Sequence, residues 1–192
     1  SKPPHILKDD DRNKVVKKDA MFIDVGASSK EQVMEEFHIR PGDPIFPVSE
    51  FEVLANGNVV AGKAWDDRAG VAAIIELMHR LQGQNHPNTL YGVATVQEEV
   101  GLRGARTSTN KVAPDIGIAL DVGIAGDVPG VTPDESPLKL GGGPVMYVAD
   151  GSAIAHFGLR RFVIDVAEEL NIPLQFAALL GGGTDAGEMH LF

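Results

Sequence analysis

Leu90-Tyr91-Gly92-Val93-Ala94-Thr95-Val96-Gln97-Glu98-Glu99-Val100-Gly101 decides how the chain is read. An apolar, β-rich run stops at two adjacent carboxylates and a glycine. This is how a buried strand delivers polar groups at its carboxyl end in an open α/β sheet. The arrangement recurs. Residues 116–120 form a second apolar run that ends at Asp121 in Leu120-Asp121-Val122-Gly123, and Asp66 stands in Ala64-Trp65-Asp66-Asp67-Arg68-Ala69-Gly70. Carboxylates gathered at such an edge repel one another strongly unless cations lie between them, so the pattern points to a metal site. Neighbouring residues at a strand end face different directions, so Glu98 and Glu99 can divide the work. One can bind metal while the other handles a proton.

Outward from this stretch the chain alternates helix and strand. Val71, Ile74, Ile75, Met78 and Leu81 mark one face of a helix over residues 68–82. Strands are expected at 90–96, 116–120, 145–148 and 174–180, and a helix around 159–170 ends at Asn171 with Pro173 just beyond. Such alternation predicts an α/β fold, a mostly parallel sheet flanked by helices. Before residue 60 the text changes. A strand at 21–25 and a helix at 28–37, opened by a Ser28…Glu31 capping box, precede two short apolar runs hinged at Asn56-Gly57, a hairpin signal. The expected division is therefore 1–60, part of a small β-rich domain, and 61–192, an α/β catalytic domain.

Composition narrows the classes. At 192 residues with 43% hydrophobic content, a formal charge of -10 and a mean hydropathy of -0.03, the chain has material for a core. It lacks the basic balance of a nucleic-acid binder. No apolar run approaches the roughly 18 residues of a membrane span. The absence of cysteine leaves carboxylate and imidazole as metal donors. The opening residues lack a signal-peptide core, which makes a cytoplasmic location the expectation.

Four motifs in order carry a resemblance: Lys63-Ala64-Trp65-Asp66-Asp67-Arg68-Ala69-Gly70, Val96-Gln97-Glu98-Glu99-Val100-Gly101-Leu102-Arg103-Gly104-Ala105, Ala119-Leu120-Asp121-Val122 and Gly181-Gly182-Gly183-Thr184-Asp185-Ala186-Gly187. Together they resemble the dinuclear-metal aminopeptidases that assemble into tetrahedral dodecamers, the glutamyl and deblocking aminopeptidases often labelled endoglucanase or cellulase. Phe22-Ile23-Asp24-Val25-Gly26-Ala27-Ser28-Ser29 and Ile39-Arg40-Pro41-Gly42-Asp43 resemble that family's inserted β-rich domain, which mediates oligomer contacts.

The resemblance implies a peptide substrate, release of its N-terminal residue, and a homo-oligomer of dimers building a dodecamer. It implies two divalent metal ions, zinc or cobalt, with Asp66 bridging them, Glu99 on one, Asp121 on the other and Glu98 as general base. Asp67 would orient the site, joined to Asp66 by a cis peptide bond. Gly182, Gly183 and Thr184 would line the substrate pocket with backbone amides. The family pattern also has one histidine ligand upstream of the inserted domain and another near the C-terminus. These 192 residues hold no counterpart of either. The expectation is therefore a fragment of a longer protein, inactive alone.

Taken singly, a strand-end Asp or Glu is more often a cap or a solvated loop residue; the ordered conjunction overturns that. His190 is the tempting substitute ligand, yet one histidine on a helical segment is usually structural. The glycine-rich run lacks the Lys-Ser/Thr of a phosphate loop. Two alternatives stand beside the peptidase: a metal-dependent amidohydrolase, or a related glycosidase, of another substrate class, and a non-catalytic assembly fragment.

Overall fold

A computed structural model describes residues 3–8, 14–179 and 181–192. They fall into two compact units, Ser1–Ser49 and Glu50–Phe192.

The first unit holds short 3-10 turns at Pro4–Ile6 and Lys18–Ala20 and one helix, α1, Lys30–Glu35. The capping residues sit one position later than expected. Ser29 Oγ accepts from the Gln32 N–H at 3.2 Å, and Gln32 Oε1 accepts from the Ser28 N–H at 2.8 Å. Gln32 wins over Glu31 because an amide can accept at this end while its Nε2 donates to Glu36, 2.9 Å away. Residues 21–25 form no strand among the described residues, and Met21, Phe22, Ile23 and Val25 are exposed. An apolar run becomes a strand only when a neighbour takes its backbone groups.

In the second unit the Asn56-Gly57 signal produces its hairpin. β1 (Glu52–Val53) pairs antiparallel with β2 (Val60–Ala61). Gly57 has φ +72°, and Asn56 Oδ1 accepts from the N–H groups of Asn58 and Val59. Helix α2 spans Trp65–Leu81, but Asp66 and Asp67 keep non-helical backbone angles and the peptide bond between them is cis. The regular helix begins after them, as the periodicity predicts. It is capped by Asp67 Oδ1, which accepts from the Gly70 N–H at 2.8 Å.

A 3-10 turn at Glu98–Val100 leads into α3, Arg103–Val112. Next come β3 (Val145–Ala149), α4 (Phe157–Glu169), β4 (Gln175–Ala178) and the short α5 (Ala186–Met189). β3 and β4 pair in parallel, with Val145 opposite Gln175 and Tyr147 opposite Ala177, and α4 is their crossover. α4 ends in a Schellman motif. Asn171 has φ +56°, the Ile172 N–H donates to the Ala167 carbonyl, and the Asn171 N–H donates to that of Glu168.

Two more of the expected strands differ. Residues 90–96 and 116–120 join no ladder among the described residues, and most of their apolar side chains are exposed. They are seated by helices instead. Gly92 leaves room for Ile74 and Met78 of α2, and Gly117 does the same for Met189 of α5. Among the described residues the buried apolar side chains are those of Ala105, Leu138, Ala167 and Ala177. Among the described residues no helix is long and apolar enough to cross a membrane.

Candidate active site

The expected site residues come from four separate places in the chain, and close backbone approaches bring them together. Gly70 lies against the Leu120 carbonyl, where an added Cβ would collide at 2.9 Å. That contact seats the regular part of α2, with Asp66 just before that part, beside Asp121. Gly104 lies against the backbone of Val96 in the same way, and its N–H donates to the Val96 carbonyl at 2.8 Å. The start of α3 is thereby fixed to the segment that leads into Glu98 and Glu99.

The result is a cleft of about 390 Å³ beyond the carboxyl ends of β3 and β4. Asp66, Glu98, Glu99, Asp121 and Asp150 line it, with Gly182, Gly183 and Thr184 on one wall and Val122, Ile124, Tyr147 and Leu179 as apolar surface. A neighbouring recess of about 370 Å³, bounded by Leu102, Ser152, Gly182 and Gly183, opens on the same acid pair. Asp67 does not line the cleft. It caps α2 through the hydrogen bond from the Gly70 N–H.

The electrostatics follow from crowding. Burial first, and then the charges of Asp121, Asp185, Glu99 and Asp66, raise the affinity of half-buried Glu98 for a proton. Asp121 is also raised by burial. The hydrogen bond it accepts from the Val122 N–H opposes this, while Asp67, Asp66 and Asp185 reinforce it. Burial and the Asp121 charge raise the Tyr147 phenol. Asp150 goes the other way. Burial would raise it, but hydrogen bonds from Ser152 Oγ and from the N–H groups of Ser152, Ala153 and Thr184 outweigh that and hold it below the ordinary carboxylate range.

Carboxylate oxygens with no basic side chain among the lining residues suit divalent cations. Asp185, outside that lining, has its Oδ1 buried without a hydrogen-bond partner among the described residues. The acids surround the cleft without forming a closed cage: no group of three or more converges on one ion position among the described residues. His190 is exposed, and its Nδ1 lies 3.2 Å from the Ala186 carbonyl of its own helix, so it does not join the site.

The sequence reading had not singled out Asp150 or Tyr147. Asp150 was open to the rule that found the others, since Asp150-Gly151-Ser152 is an acid and a turn after an apolar run. Tyr147 points into the cleft only through the register of β3 on β4.

The model of the M42 glutamyl aminopeptidase family matches residues 1–192. The TET aminopeptidase of a marine sediment thaumarchaeon is 52% identical and superposes with a TM-score of 0.92, over 100% of this chain and 54% of that one. The Pyrococcus horikoshii TET1 peptidase, described as able to assemble into a tetrahedron or a large octahedral shell, is 36% identical with a TM-score of 0.79, over 99% of this chain and 55% of its own. The glutamyl aminopeptidase of Lactococcus lactis is 38% identical over 189 residues, 98% of this chain and 52% of that protein. The chain thus spans about half the length of the curated relatives it matches. With the family match over its whole length and a TM-score of 0.92 to a TET aminopeptidase, the chain belongs to the M42 glutamyl aminopeptidase family.

Proposed function

We propose that the acid-lined cleft belongs to a metal-dependent aminopeptidase that hydrolyses the N-terminal residue from peptides. The observation that carries this reading is the meeting of Asp66, Glu98, Glu99 and Asp121 around one cleft without a basic lining residue. The family match and the aminopeptidase relatives support it.

In this reading Asp66, Glu99 and Asp121 would hold the divalent ions, two of zinc or cobalt. When bound, such ions supply a water of lowered pKa and a positive centre for the scissile carbonyl. Glu98 takes the proton of the attacking water as the new C–O bond forms at the scissile carbonyl, then delivers it to the amine nitrogen, whose C–N bond breaks as the carbonyl is restored. Its half-buried, acid-crowded setting raises its proton affinity, the property this shuttle needs. Gly182, Gly183 and Thr184 bound the space for the peptide backbone. Val122, Ile124 and Leu179 offer apolar contact to a side chain.

The discriminating experiment pairs Glu98→Gln with Glu99→Gln in the intact protein. Glu98→Gln should abolish release of amino-acid nitroanilides and leave metal content near wild type, because the amide cannot accept the proton. Glu99→Gln should lower metal content. Equal metal loss in both variants rejects the assignment, and release of reducing sugar in place of nitroaniline rejects the substrate class.

Assembly into a homo-oligomer is part of the same proposal. Its support is the assembly described for the Pyrococcus horikoshii relative, together with exposed apolar side chains such as Ile45, Val48 and Phe51. Light scattering on the intact protein tests it, and a monomer at micromolar concentration rejects it.

A further inference from the structure

The Gly181–Thr184 wall and the acid pair approach each other from segments about ninety residues apart, and one side-chain hydrogen bond joins them. Thr95 Oγ1 donates to Asp185 Oδ2 at 2.6 Å, in a part-buried position. A hydroxyl-to-carboxylate bond this short is among the stronger kinds available to a protein.

Both ends of the bond stand next to working residues. Asp185 follows Thr184 of the cleft wall, whose own N–H donates to Asp150. Thr95 lies three residues before Glu98. The backbone beyond it is irregular, with Gln97, Gly101 and Leu102 all at positive φ around the Glu98–Val100 turn. On the far side the turn is held by Leu102 N–H to the Glu98 carbonyl, Arg103 N–H to that of Gln97 and Gly104 N–H to that of Val96. On the near side, among the described residues, the hydrogen bond that reaches outside the segment is that of Thr95. The other oxygen of Asp185 is buried without a partner among the described residues, an arrangement costly to keep for packing alone.

We propose that Asp185 is a positioning residue for the acid pair, holding the Thr95–Val100 segment against the glycine-rich wall through the Thr95 hydroxyl. The proposal rests on the reading of Glu98 as proton shuttle. Under it the distance between Glu98 and the peptide lying on the Gly182–Thr184 wall is set by this bond.

Thr95→Val in the intact protein keeps the shape and removes the donor. It should lower kcat by about 10- to 100-fold, the effect of displacing a catalytic group by a fraction of an ångström to an ångström, with KM within about threefold. Thr95→Ser should restore kcat to within about threefold of wild type. Asp185→Asn keeps an acceptor oxygen and should lose less than Asp185→Ala. The double variant Thr95→Val/Asp185→Ala should be no worse than Asp185→Ala alone.

Amide hydrogen exchange of residues 96–102, read without any assay of activity, should rise in Thr95→Val and stay at the wild-type level in Thr95→Ser. Wild-type kcat in Thr95→Val, equal loss in the Ser and Val variants, or additivity in the double variant overturns the proposal. Should Asp185→Ala not fold, the Thr95 pair decides. Glu98→Gln run in parallel separates the two readings: an active Glu98→Gln rejects the proton shuttle, whereas an inactive one beside a fully active Thr95→Val rejects the tether alone.

Discussion

Gly104→Ala tests the contact on which the placement of the acid pair depends. Gly104 stands at the start of α3 with ordinary helical backbone, so alanine brings no backbone strain there and even favours the helix by up to about 1 kcal/mol. The obstacle is packing. The new Cβ would lie 2.5 Å from the Val96 carbonyl oxygen and 2.9 Å from Thr95 Cβ, and would also meet the Val96 nitrogen, whereas ordinary contact begins at 3.4 Å. Two of these three neighbours are backbone atoms that cannot rotate away, so α3 and the Val96 segment must separate by roughly 1 Å, enough to lower turnover on the order of 100-fold when it occurs beside a catalytic group. Overpacking of this kind costs about 1–3 kcal/mol, and loss of the Gly104 N–H to Val96 bond about 1 more; the helix gain offsets part of it. The expected result is kcat reduced about 100-fold, KM little changed and stability lower by about 1–3 kcal/mol. Nitroanilide kinetics and urea unfolding of the intact protein measure these. Wild-type kcat together with an unchanged urea midpoint would refute the claim that α3 is seated on Val96 and that this seat places Glu98.

Asp67→Ala should lower stability by about 1 kcal/mol through loss of the α2 cap, while Asp67→Asn, which caps equally well, should not; equal losses in urea unfolding reject the cap. Asp150 has a lowered folded pKa, so its contribution to stability is present above the unfolded value of about 3.9 and is lost as pH falls through the folded one. Urea midpoints between pH 5 and pH 3 should therefore fall more steeply in wild type than in Asp150→Asn, and parallel curves reject the assignment. Removing divalent cations with a chelator should lower the unfolding midpoint of the intact protein, since ions at 100 times their Kd add about 2.7 kcal/mol; an unchanged Tm counts against a cation in the cleft.

Local features were legible without coordinates because their causes are local. The 3.6-residue spacing of Val71, Ile74, Ile75, Met78 and Leu81 is a helix in any setting that covers one face, and α2 follows it. Asn56-Gly57 relaxes the backbone where a hairpin needs positive φ, and β1 and β2 meet around it. The order of Asp66, Glu98-Glu99 and Asp121, each following an apolar or β-rich run, named every acid of the cleft but Asp150 before any of them had a position.

What the tertiary structure decided is everything that depends on distance between remote segments. Residues 90–96 and 116–120 read as strands from composition, but a strand is made by its neighbour, and among the described residues only β3 finds a parallel partner, in β4. Register on that partner puts Tyr147 in the cleft, and the turn after β3 brings Asp150 to it. The four acids share one space because Gly70 admits the Leu120 carbonyl and Gly104 admits the Val96 backbone. Those are contacts of missing side chains, and hydrophobic periodicity carries no trace of them. Asp185 shows the same limit. Its motif was plain, but its bond to Thr95 exists only because folding brings two distant segments within 2.6 Å.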